Sequence, residues 1–263
     1  MEPARATQAM NYKQLLETEG VFVLENVLSK SEITQLKSDL QKAIAQEERY
    51  HGSKQYGDYA MVLMCAQYGR SFIEIFDNER LMRPFNEGMS PGCIVYAYTS
   101  SSMPPESGNY SVRVHVDCPR MIPGYITNMG ATIALDDFTE DNGATWYLPR
   151  SQERLDAPSE EYFYANAKRF IAPAGSVLFF NARIWHAGGQ NQTPNWRHAL
   201  TINMCRPYMK QRLDIPRMMA GKDLSWASET ALQKLGFHSQ VPASYEEYYV
   251  TDRNQRKYKQ PVE

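Results

Sequence analysis

Between residues 90 and 205, short runs rich in β-branched and aromatic side chains alternate with turn-forming segments. This pattern constrains the fold more than any other feature of the chain. The runs are Cys93–Thr99, Ser111–Asp117, Ala131–Leu135, Thr145–Leu148, Ser176–Phe180 and His198–Met204. Several strands at this spacing are typical of an all-β sandwich or barrel, whereas βαβ units need a helix between successive strands. We therefore predict a β core in this part of the chain.

The segment before the core alternates between helix and strand. Residues 12–19 predict a short helix, and residues 21–24 predict a brief buried strand. Ser29 and Glu32 have the spacing of a capping box, in which a hydroxyl and a carboxylate three residues apart begin a helix. Apolar residues then recur at helical intervals, which predicts an amphipathic helix over about residues 30–46.

Helical spacing returns after the core, where residues 223–236 predict a further helix. The fold class expected is therefore α+β, with a jelly-roll flanked by N-terminal and C-terminal helices. We predict a single domain over residues 1–263, since barrels and sandwiches of about 200–250 residues commonly form one unit. Its parts would be a helical region at about 1–90, the β core at about 91–210 and a helical extension at about 211–263.

The charge balance and the apolar runs exclude several classes of partner. The chain has 28 Lys and Arg residues against 30 Asp and Glu, a net charge of −2, which is not typical of a nucleic-acid binder. No apolar run approaches the roughly 18 residues of a membrane span. The four cysteines lack zinc-binding spacing, and no apolar leader opens the chain. We expect a cytoplasmic protein without nucleic-acid or membrane partners, and the sequence predicts no oligomeric state.

One predicted strand carries two side chains of metal-binding type. His115 and Asp117 lie two residues apart, so an extended backbone would direct both to the same face. An imidazole and a carboxylate in this arrangement can bind one metal ion from a single strand. Alone the pair is a weak indication, because short motifs recur by chance and His–Asp pairs also form structural hydrogen bonds.

A second passage of the sequence offers a third metal-binding side chain. His186 lies far along the chain, and a histidine from a distant strand would complete two imidazoles and one carboxylate on one face of a metal. That facial triad is diagnostic of non-haem Fe(II) oxygenases, which need open coordination positions for their substrates. Arg197 follows eleven residues later, far enough for a turn and a return strand. Its guanidinium can bind a carboxylate through two parallel hydrogen bonds.

These passages together resemble the phytanoyl-CoA dioxygenase family of Fe(II)/2-oxoglutarate-dependent oxygenases, and the likeness covers nearly the whole chain. It is carried by residues 19–29, 115–117, 134–145 and 173–180, by His186 and Arg197, and by the late Leu235-Gly-Phe. The resemblance implies a double-stranded β-helix core, cupin-like in shape, in which His115, Asp117 and His186 bind iron. It also implies that Arg197 pairs with the distal carboxylate of 2-oxoglutarate and that Thr145 helps to bind this cosubstrate.

For function, the resemblance implies an enzyme that uses Fe(II), 2-oxoglutarate and O2 to oxidise a small-molecule metabolite or natural-product intermediate. Hydroxylation with release of succinate and CO2 is the expected outcome. Desaturation, epoxidation or ring formation can follow from the same chemistry, because substrate positioning decides among them. Two more distant alternatives remain. One is a cupin-like metalloprotein without oxygenase activity, which would not require Arg197. The other is a binding module that retains the metal ligands without catalytic activity.

Arg113 precedes His115 by two residues and shares its predicted inward face. A guanidinium directed into a β core is costly unless it is paired. Two roles fit it equally. One is an internal salt bridge, and the other is a binding site for an anionic group of the substrate.

Overall fold

The structure is a computed structural model that describes residues 11–51 and 61–249. The α-helices of this part are α1 Tyr12–Thr18, α2 Lys30–His51, α3 Ser71–Glu74, α4 Glu79–Gly88, α5 Glu160–Asn166, α6 Ile215–Met218, α7 Glu229–Lys234 and α8 Tyr245–Tyr248. The strands are β1 Val21–Leu24, β2 Ile94–Ser100, β3 Asn128–Ala134, β4 Trp146–Tyr147, β5 Lys168–Arg169, β6 Val177–Asn181, β7 His186–Ala187 and β8 Ala199–Cys205. Short 3-10 helices span Cys65–Gln67, Ile75–Asp77 and Tyr110–Val112.

Two antiparallel sheets form the centre of the molecule. The larger has the strand order β1-β6-β3-β8-β2, and the smaller has the order β5-β4-β7. All seven residues of β3 are buried, as expected of a strand that pairs on both sides, here with β6 and β8. The order is not sequential, so strands that are distant in the chain become neighbours. This arrangement allows side chains from several parts of the sequence to meet at one place.

The N-terminal helices pack against the larger sheet. The predicted capping box begins α2: Ser29 N donates to Glu32 Oε2 at 2.7 Å, and Glu32 N donates to Ser29 Oγ at 3.3 Å. One hydrophobic cluster joins Leu40 of α2 and Phe85 of α4 to Phe179 of β6. The N-terminal helices therefore share a hydrophobic core with the larger sheet.

The prediction of a continuous strand over Ser111–Asp117 is wrong. A 3-10 helix occupies Tyr110–Val112 instead. The cause lies at Asn109, whose side-chain oxygen accepts hydrogen bonds from the backbone N–H and the hydroxyl of Ser111 at 2.9 and 2.6 Å. Asparagine side chains that bond to nearby backbone compete in this way with a β ladder. Of the predicted strand, only His115 forms a β-bridge, which joins it to His186.

The helix predicted over residues 223–236 is shorter than expected. Asp223 accepts hydrogen bonds from Ser225 N and Trp226 Nε1, which forms a turn rather than a helix. Ser228 then caps α7 by accepting a hydrogen bond from Ala231 N. Among residues 11–51 and 61–249, no helix combines the length and the apolar character needed to cross a bilayer.

Candidate metal centre

The metal ligands predicted from the sequence lie together in the structure. Donor atoms of His115, Asp117 and His186 are all within 4.8 Å of one another. Asp117 Oδ1 lies 3.6 Å from His115 Nε2 and 3.8 Å from His186 Nε2. In the described part of the chain, no other group of three or more His, Cys, Asp or Glu side chains meets this spacing. The cluster is therefore the candidate metal centre.

Backbone contacts orient both imidazole rings. His115 Nδ1 lies 2.7 Å from the carbonyl oxygen of Arg113, and His186 Nδ1 lies 2.9 Å from that of Ile184. A carbonyl oxygen can only accept, so each Nδ1 carries the proton and each Nε2 presents its lone pair to the cluster. Metal-binding histidines are commonly held by such contacts, which fix both the tautomer and the direction of the ring.

Two asparagines orient the carboxylate. Asn203 Nδ2 donates to Asp117 Oδ2 at 3.2 Å, and Asn128 Nδ2 donates to Asn203 Oδ1 at the same distance. These bonds engage one carboxylate oxygen and leave Oδ1 directed toward the histidines. Sequence reasoning missed Asn203, although strand alternation gives an indication: Thr201 and Asn203 are polar, whereas Leu200 and Ile202 between them are apolar.

The electrostatics of the cluster favour cation binding. Burial raises the pKa of Asp117, but His186, His115 and Asn203 oppose this and hold the pKa below that of an ordinary carboxyl group. Burial lowers the pKa of His186 below its usual value. For His115, burial lowers the pKa but the contact with Asp117 raises it, and the net shift is upward. An ionised carboxylate beside a neutral imidazole is the state in which these side chains bind a metal.

The donor set fits a divalent first-row metal such as iron. Metal–ligand bonds of about 2.1 Å at right angles would place adjacent donors about 3 Å apart. The observed separations of 3.6 and 3.8 Å therefore need to shorten by less than about 1 Å on metal binding. Two nitrogens and one oxygen, without a thiolate, match the facial triad predicted from the sequence.

The cluster faces a cavity of about 210 Å3 that is lined by both sheets. Thr132 and Asn203 line it from the larger sheet, and His186 lines it from the smaller one. The ring of Phe180 also lines it and lies 5.2 Å from the ring of His186, measured between centroids. We refer to this space as the iron cavity.

Arg197 lines the iron cavity and is almost fully buried, with 1% of its surface exposed. Its guanidinium donates from Nη1 to the carbonyl oxygen of Ser101 at 3.0 Å and from Nη2 to that of Gly143 at 3.1 Å. A weaker bond of 3.4 Å runs from Nε to the carbonyl of Asn142. A guanidinium has five N–H groups, so one on each terminal nitrogen remains for another acceptor.

The charge of Arg197 is not balanced by a carboxylate. Among the described residues it forms no ion pair, and the nearby Asp136 pairs instead with Lys37 and accepts a hydrogen bond from His198 N at 2.8 Å. Burial lowers the pKa of Arg197 to about 9, with Asp136 acting in the opposite direction, so the side chain stays protonated at neutral pH. A buried cation of this kind is costly unless an anion joins it.

Thr145 lies where the resemblance predicts, on the wall of the iron cavity. It directly precedes β4, and its carbonyl oxygen accepts a hydrogen bond from Phe170 N at 2.8 Å. Its hydroxyl has no hydrogen-bond partner within the described residues. The hydroxyl is therefore available to a molecule bound in the cavity.

Arg113 is not brought into the site. The 3-10 helix at Tyr110–Val112 breaks the alternation on which its inward direction depended, and the side chain is exposed. It does not line the iron cavity, and its contribution to the cluster is the carbonyl oxygen that holds His115. The geometric argument for Arg113 as a substrate receptor is thereby lost.

The sequence patterns did not indicate two residues that line the cavity. Tyr96 and Arg212 line the iron cavity together. Tyr96 lies at a β-bulge, where the register of β2 against β8 shifts between Val95 and Ala97. Bulges next to active sites redirect a side chain, and no pattern in the sequence marks this one. Arg212 lies beyond the predicted core, where nothing in the sequence connects it to the site.

An antiparallel double sheet that brings two histidines, one aspartate and a buried arginine to one cavity is the arrangement expected of a 2-oxoglutarate-dependent non-haem iron oxygenase. The model of the phytanoyl-CoA dioxygenase (PhyH) family matches residues 16–199, and the chain belongs to this family. Over 238 residues it is 26% identical to an uncharacterized protein of Mycobacterium tuberculosis, covering 88% of this chain and 87% of that one. It is also 26% identical over 267 residues to the dioxygenase ALT11 of Alternaria alternata, with 87% and 82% covered.

Solved structures share the fold. The non-haem monooxygenase ThoJ matches with a TM-score of 0.60 at 20% identity, over 77% of this chain and 80% of that one. The carbocyclase SnoK from nogalamycin biosynthesis gives 0.62 at 17% identity, over 76% and 85%. The epimerase SnoN, in complex with Fe3+, alpha ketoglutarate and nogalamycin RO, gives 0.62 at 17% identity, over 80% and 90%. The predicted cupin-like jelly-roll with flanking helices is thus confirmed.

Proposed function

We propose that the protein is an Fe(II)/2-oxoglutarate-dependent dioxygenase that hydroxylates a small-molecule metabolite or natural-product intermediate, with release of succinate and CO2. One observation carries the proposal: the buried, carboxylate-free Arg197 lines the same cavity as His115, Asp117 and His186. A metal centre alone is compatible with many reactions. A metal centre beside an internal receptor for a carboxylate is what a keto-acid-dependent reaction requires.

In this proposal each side chain has a definite task. His115, Asp117 and His186 would hold Fe(II), which would supply the binding positions for the keto acid and O2. The two uncommitted N–H groups of Arg197 bind the distal carboxylate of 2-oxoglutarate in parallel. The hydroxyl of Thr145 donates a hydrogen bond to the same cosubstrate, which uses its otherwise unpartnered donor.

Bound iron with 2-oxoglutarate and O2 supplies the oxidation: one oxygen atom enters succinate, the other enters the product, and the carboxyl group beside the keto carbon leaves as CO2. The protein contributes position and surroundings. Asn203 fixes the carboxylate ligand at 3.2 Å, and the Phe180 ring covers one side of His186. Placement of one substrate carbon in the iron cavity then decides which bond reacts.

The test is substrate-dependent succinate formation across a metabolite library, with Fe(II), ascorbate and 2-oxoglutarate. Gain of one oxygen atom in the product indicates hydroxylation or epoxidation, and loss of two hydrogen atoms indicates desaturation or ring formation. In parallel, anaerobic addition of 2-oxoglutarate to the Fe(II) protein should give a weak visible charge-transfer band. Absence of this band in the wild-type protein, where Asp117→Ala serves as the blank, would contradict keto-acid binding at the metal.

We further propose a cytoplasmic location and a small-molecule substrate as the partner. The four cysteines are all free thiols and buried, which agrees with a reducing compartment. The wall of the iron cavity combines polar and apolar side chains, among them Tyr96, Met103 and Tyr110, which suits a small organic molecule.

A further inference from the structure

The segment 209–212 is fixed beside the iron cavity by the β-bulge in β2. Arg212 N donates to the carbonyl oxygen of Tyr96, the residue at the bulge, at 2.9 Å. Gln211 Nε2 donates to the carbonyl oxygen of the preceding Val95 at 2.8 Å. A bulge leaves backbone groups out of the strand ladder, and here they hold a distant segment. The fold therefore places Arg212 at the iron cavity by specific bonds.

A second cavity adjoins the first. It has a volume of about 530 Å3, and Tyr96 and Asp117 line both spaces. Arg120 and Lys210 line the second cavity, next to Tyr96. A molecule that extends from the metal cluster past Tyr96 would thus pass from the cavity that Arg212 lines into the cavity that Arg120 and Lys210 line.

The lining of the two cavities is strongly cationic. Among the described residues, the cations are Arg197 and Arg212 in the first cavity and Arg120 and Lys210 in the second, and the one carboxylate that lines either cavity is Asp117. The chain as a whole carries a net charge of −2, so this concentration of positive charge is local. Clefts lined by one sign of charge attract ligands of the other sign.

Three of these cations, all of them exposed to solvent, have no partner among the described residues. In the described part of the chain, the side chains of Arg212, Lys210 and Arg120 form neither a hydrogen bond nor an ion pair. Binding of iron and 2-oxoglutarate does not change this excess of cationic side chains. The charges of the dication and the dianion cancel, and the keto acid engages Arg197 rather than the other three cations. With both bound, the lining of the two cavities keeps more cationic than anionic side chains.

We propose that Arg212, supported by Lys210, binds a carboxylate or phosphate group of the substrate, whose apolar remainder extends into the iron cavity. This inference rests on the proposed function and specifies its substrate class. Arg212 suits the role because a guanidinium binds either oxyanion through two parallel bonds, whereas Lys210 offers a point charge. Met61, Met103 and Phe180 line the iron cavity and provide apolar surface for the rest of the molecule.

The experiment uses the full chain loaded with Zn(II) in place of Fe(II) and with saturating 2-oxoglutarate, so that Arg197 is occupied. The probes are 3-phenylpropionate, phenyl phosphate and the neutral 3-phenylpropionamide, which has nearly the shape of the first. Dissociation constants are measured by ligand-observed saturation-transfer NMR. Binding of Zn(II) and of 2-oxoglutarate is measured beforehand, and failure at that step contradicts the proposed function rather than the anion site.

We expect either acid to bind and the amide to bind much more weakly. Arg212→Gln should weaken the acids roughly three- to tenfold, because the contact is charge-assisted but partly open to solvent. Lys210→Gln should cause a smaller loss. The matched control is Arg217→Gln, since Arg217 is an exposed cation of the same region that lines neither cavity.

A stronger response to phenyl phosphate than to 3-phenylpropionate identifies phosphate as the preferred group, and the reverse identifies carboxylate. Equal binding of the amide and the acid would overturn the proposal. So would an Arg212→Gln protein with unaltered affinity for both acids. An equal loss in Arg217→Gln would also overturn it, because the attraction would then be a general property of the surface.

Discussion

His115 and His186 face each other across an isolated antiparallel bridge, in which the N–H of each donates to the carbonyl oxygen of the other at 2.9 Å. Their ring centroids lie 4.3 Å apart. The backbone, rather than a bound metal, thus brings the two ligands together. Removal of either imidazole leaves both bridge bonds in place, so metal binding and folding can be separated by experiment.

We predict that His115→Ala, Asp117→Ala and His186→Ala each abolish Fe(II) binding and substrate-dependent succinate formation. The midpoint of thermal unfolding of the metal-free protein should shift by only a few degrees, because the bridge is made by the backbone. Metal affinity is measured by equilibrium titration. His238→Ala is the control, since His238 pairs with Glu229 outside the iron cavity. Near-normal turnover in any of the three ligand variants would refute the iron assignment.

Arg197→Lys should weaken 2-oxoglutarate binding by about tenfold or more while metal affinity stays unchanged. The substitution keeps the charge but removes the planar fork, and a bond to a charged group contributes about 1.5–3 kcal/mol. Stability will also fall, because the carbonyl oxygens of Ser101 and Gly143 lose their donors. The keto-acid dissociation constant is therefore compared at a temperature where both proteins are fully folded. An unchanged constant would transfer the carboxylate role to another residue.

Asn203→Leu should lower metal affinity by about 10- to 100-fold, the usual effect of removing a residue that orients a metal ligand. The physical reason is that Asp117 Oδ2 loses its donor and the carboxylate can rotate. Thr201→Val is the matched control: Thr201 lines the same cavity, but its hydroxyl donates to Ser101 Oγ at 3.0 Å. Titration with Co(II), followed by its visible absorption, reports the geometry of the site as well as the affinity. If both variants bind Co(II) equally well, Asn203 has no orienting role.

The three candidate ligands could be predicted from the sequence because His115 and Asp117 share a local pattern and the family resemblance adds His186. His115 and Asp117 reach the same cavity even though only His115 forms a β-bridge. The same strand alternation predicted the wrong direction for the side chain of Arg113, because the side chain of Asn109 begins a 3-10 helix just before it. Strand alternation therefore held over the residues next to the bridge and failed beyond them.

The remaining parts of the site depend on contacts between distant segments. Arg212 is placed by a bond to Tyr96, whose carbonyl is available because β2 contains a bulge. Short-range patterns do not encode such a bond, since it requires the register of β2 against β8. Asn203 could have been found by alternation, but its contact with Asp117 exists only once the two segments meet.

Thr145→Val should weaken 2-oxoglutarate binding less than Arg197→Lys does, because it removes a single hydrogen bond from an uncharged donor, whereas the guanidinium forms two charge-assisted bonds. Valine has nearly the shape of threonine, so the cavity wall is preserved. Thr145→Ser keeps the hydroxyl and should retain most of the wild-type affinity for 2-oxoglutarate. The measurement is the keto-acid dissociation constant of the Zn(II)-loaded protein. A loss shared equally by the Val and Ser variants would indicate a packing effect of the methyl group instead.

Gly130 of β3 pairs directly with Phe180 of β6, and the Phe180 ring lies over the glycine. A β-carbon at position 130 would overlap that ring. The ring in turn contacts His186, with centroids 5.2 Å apart. Glycine in a strand interior commonly marks such a close approach. We therefore predict that Gly130→Ala lowers the free energy of unfolding by about 1–3 kcal/mol through overpacking, and weakens metal binding by displacing His186.

A double-mutant cycle separates this steric effect from a general weakening of the strand. Phe180→Leu alone should also destabilise the protein, because it leaves a space beside His186. In the Gly130→Ala background the smaller leucine makes room for the added methyl group, so the two costs should not add and part of the metal affinity should return. Free energies of unfolding come from urea titrations of the metal-free proteins, and affinities come from Co(II) titration. If the losses in free energy of unfolding are strictly additive, the alanine acts through the strand backbone. The Phe180 ring would then not be the contact through which Gly130→Ala affects His186.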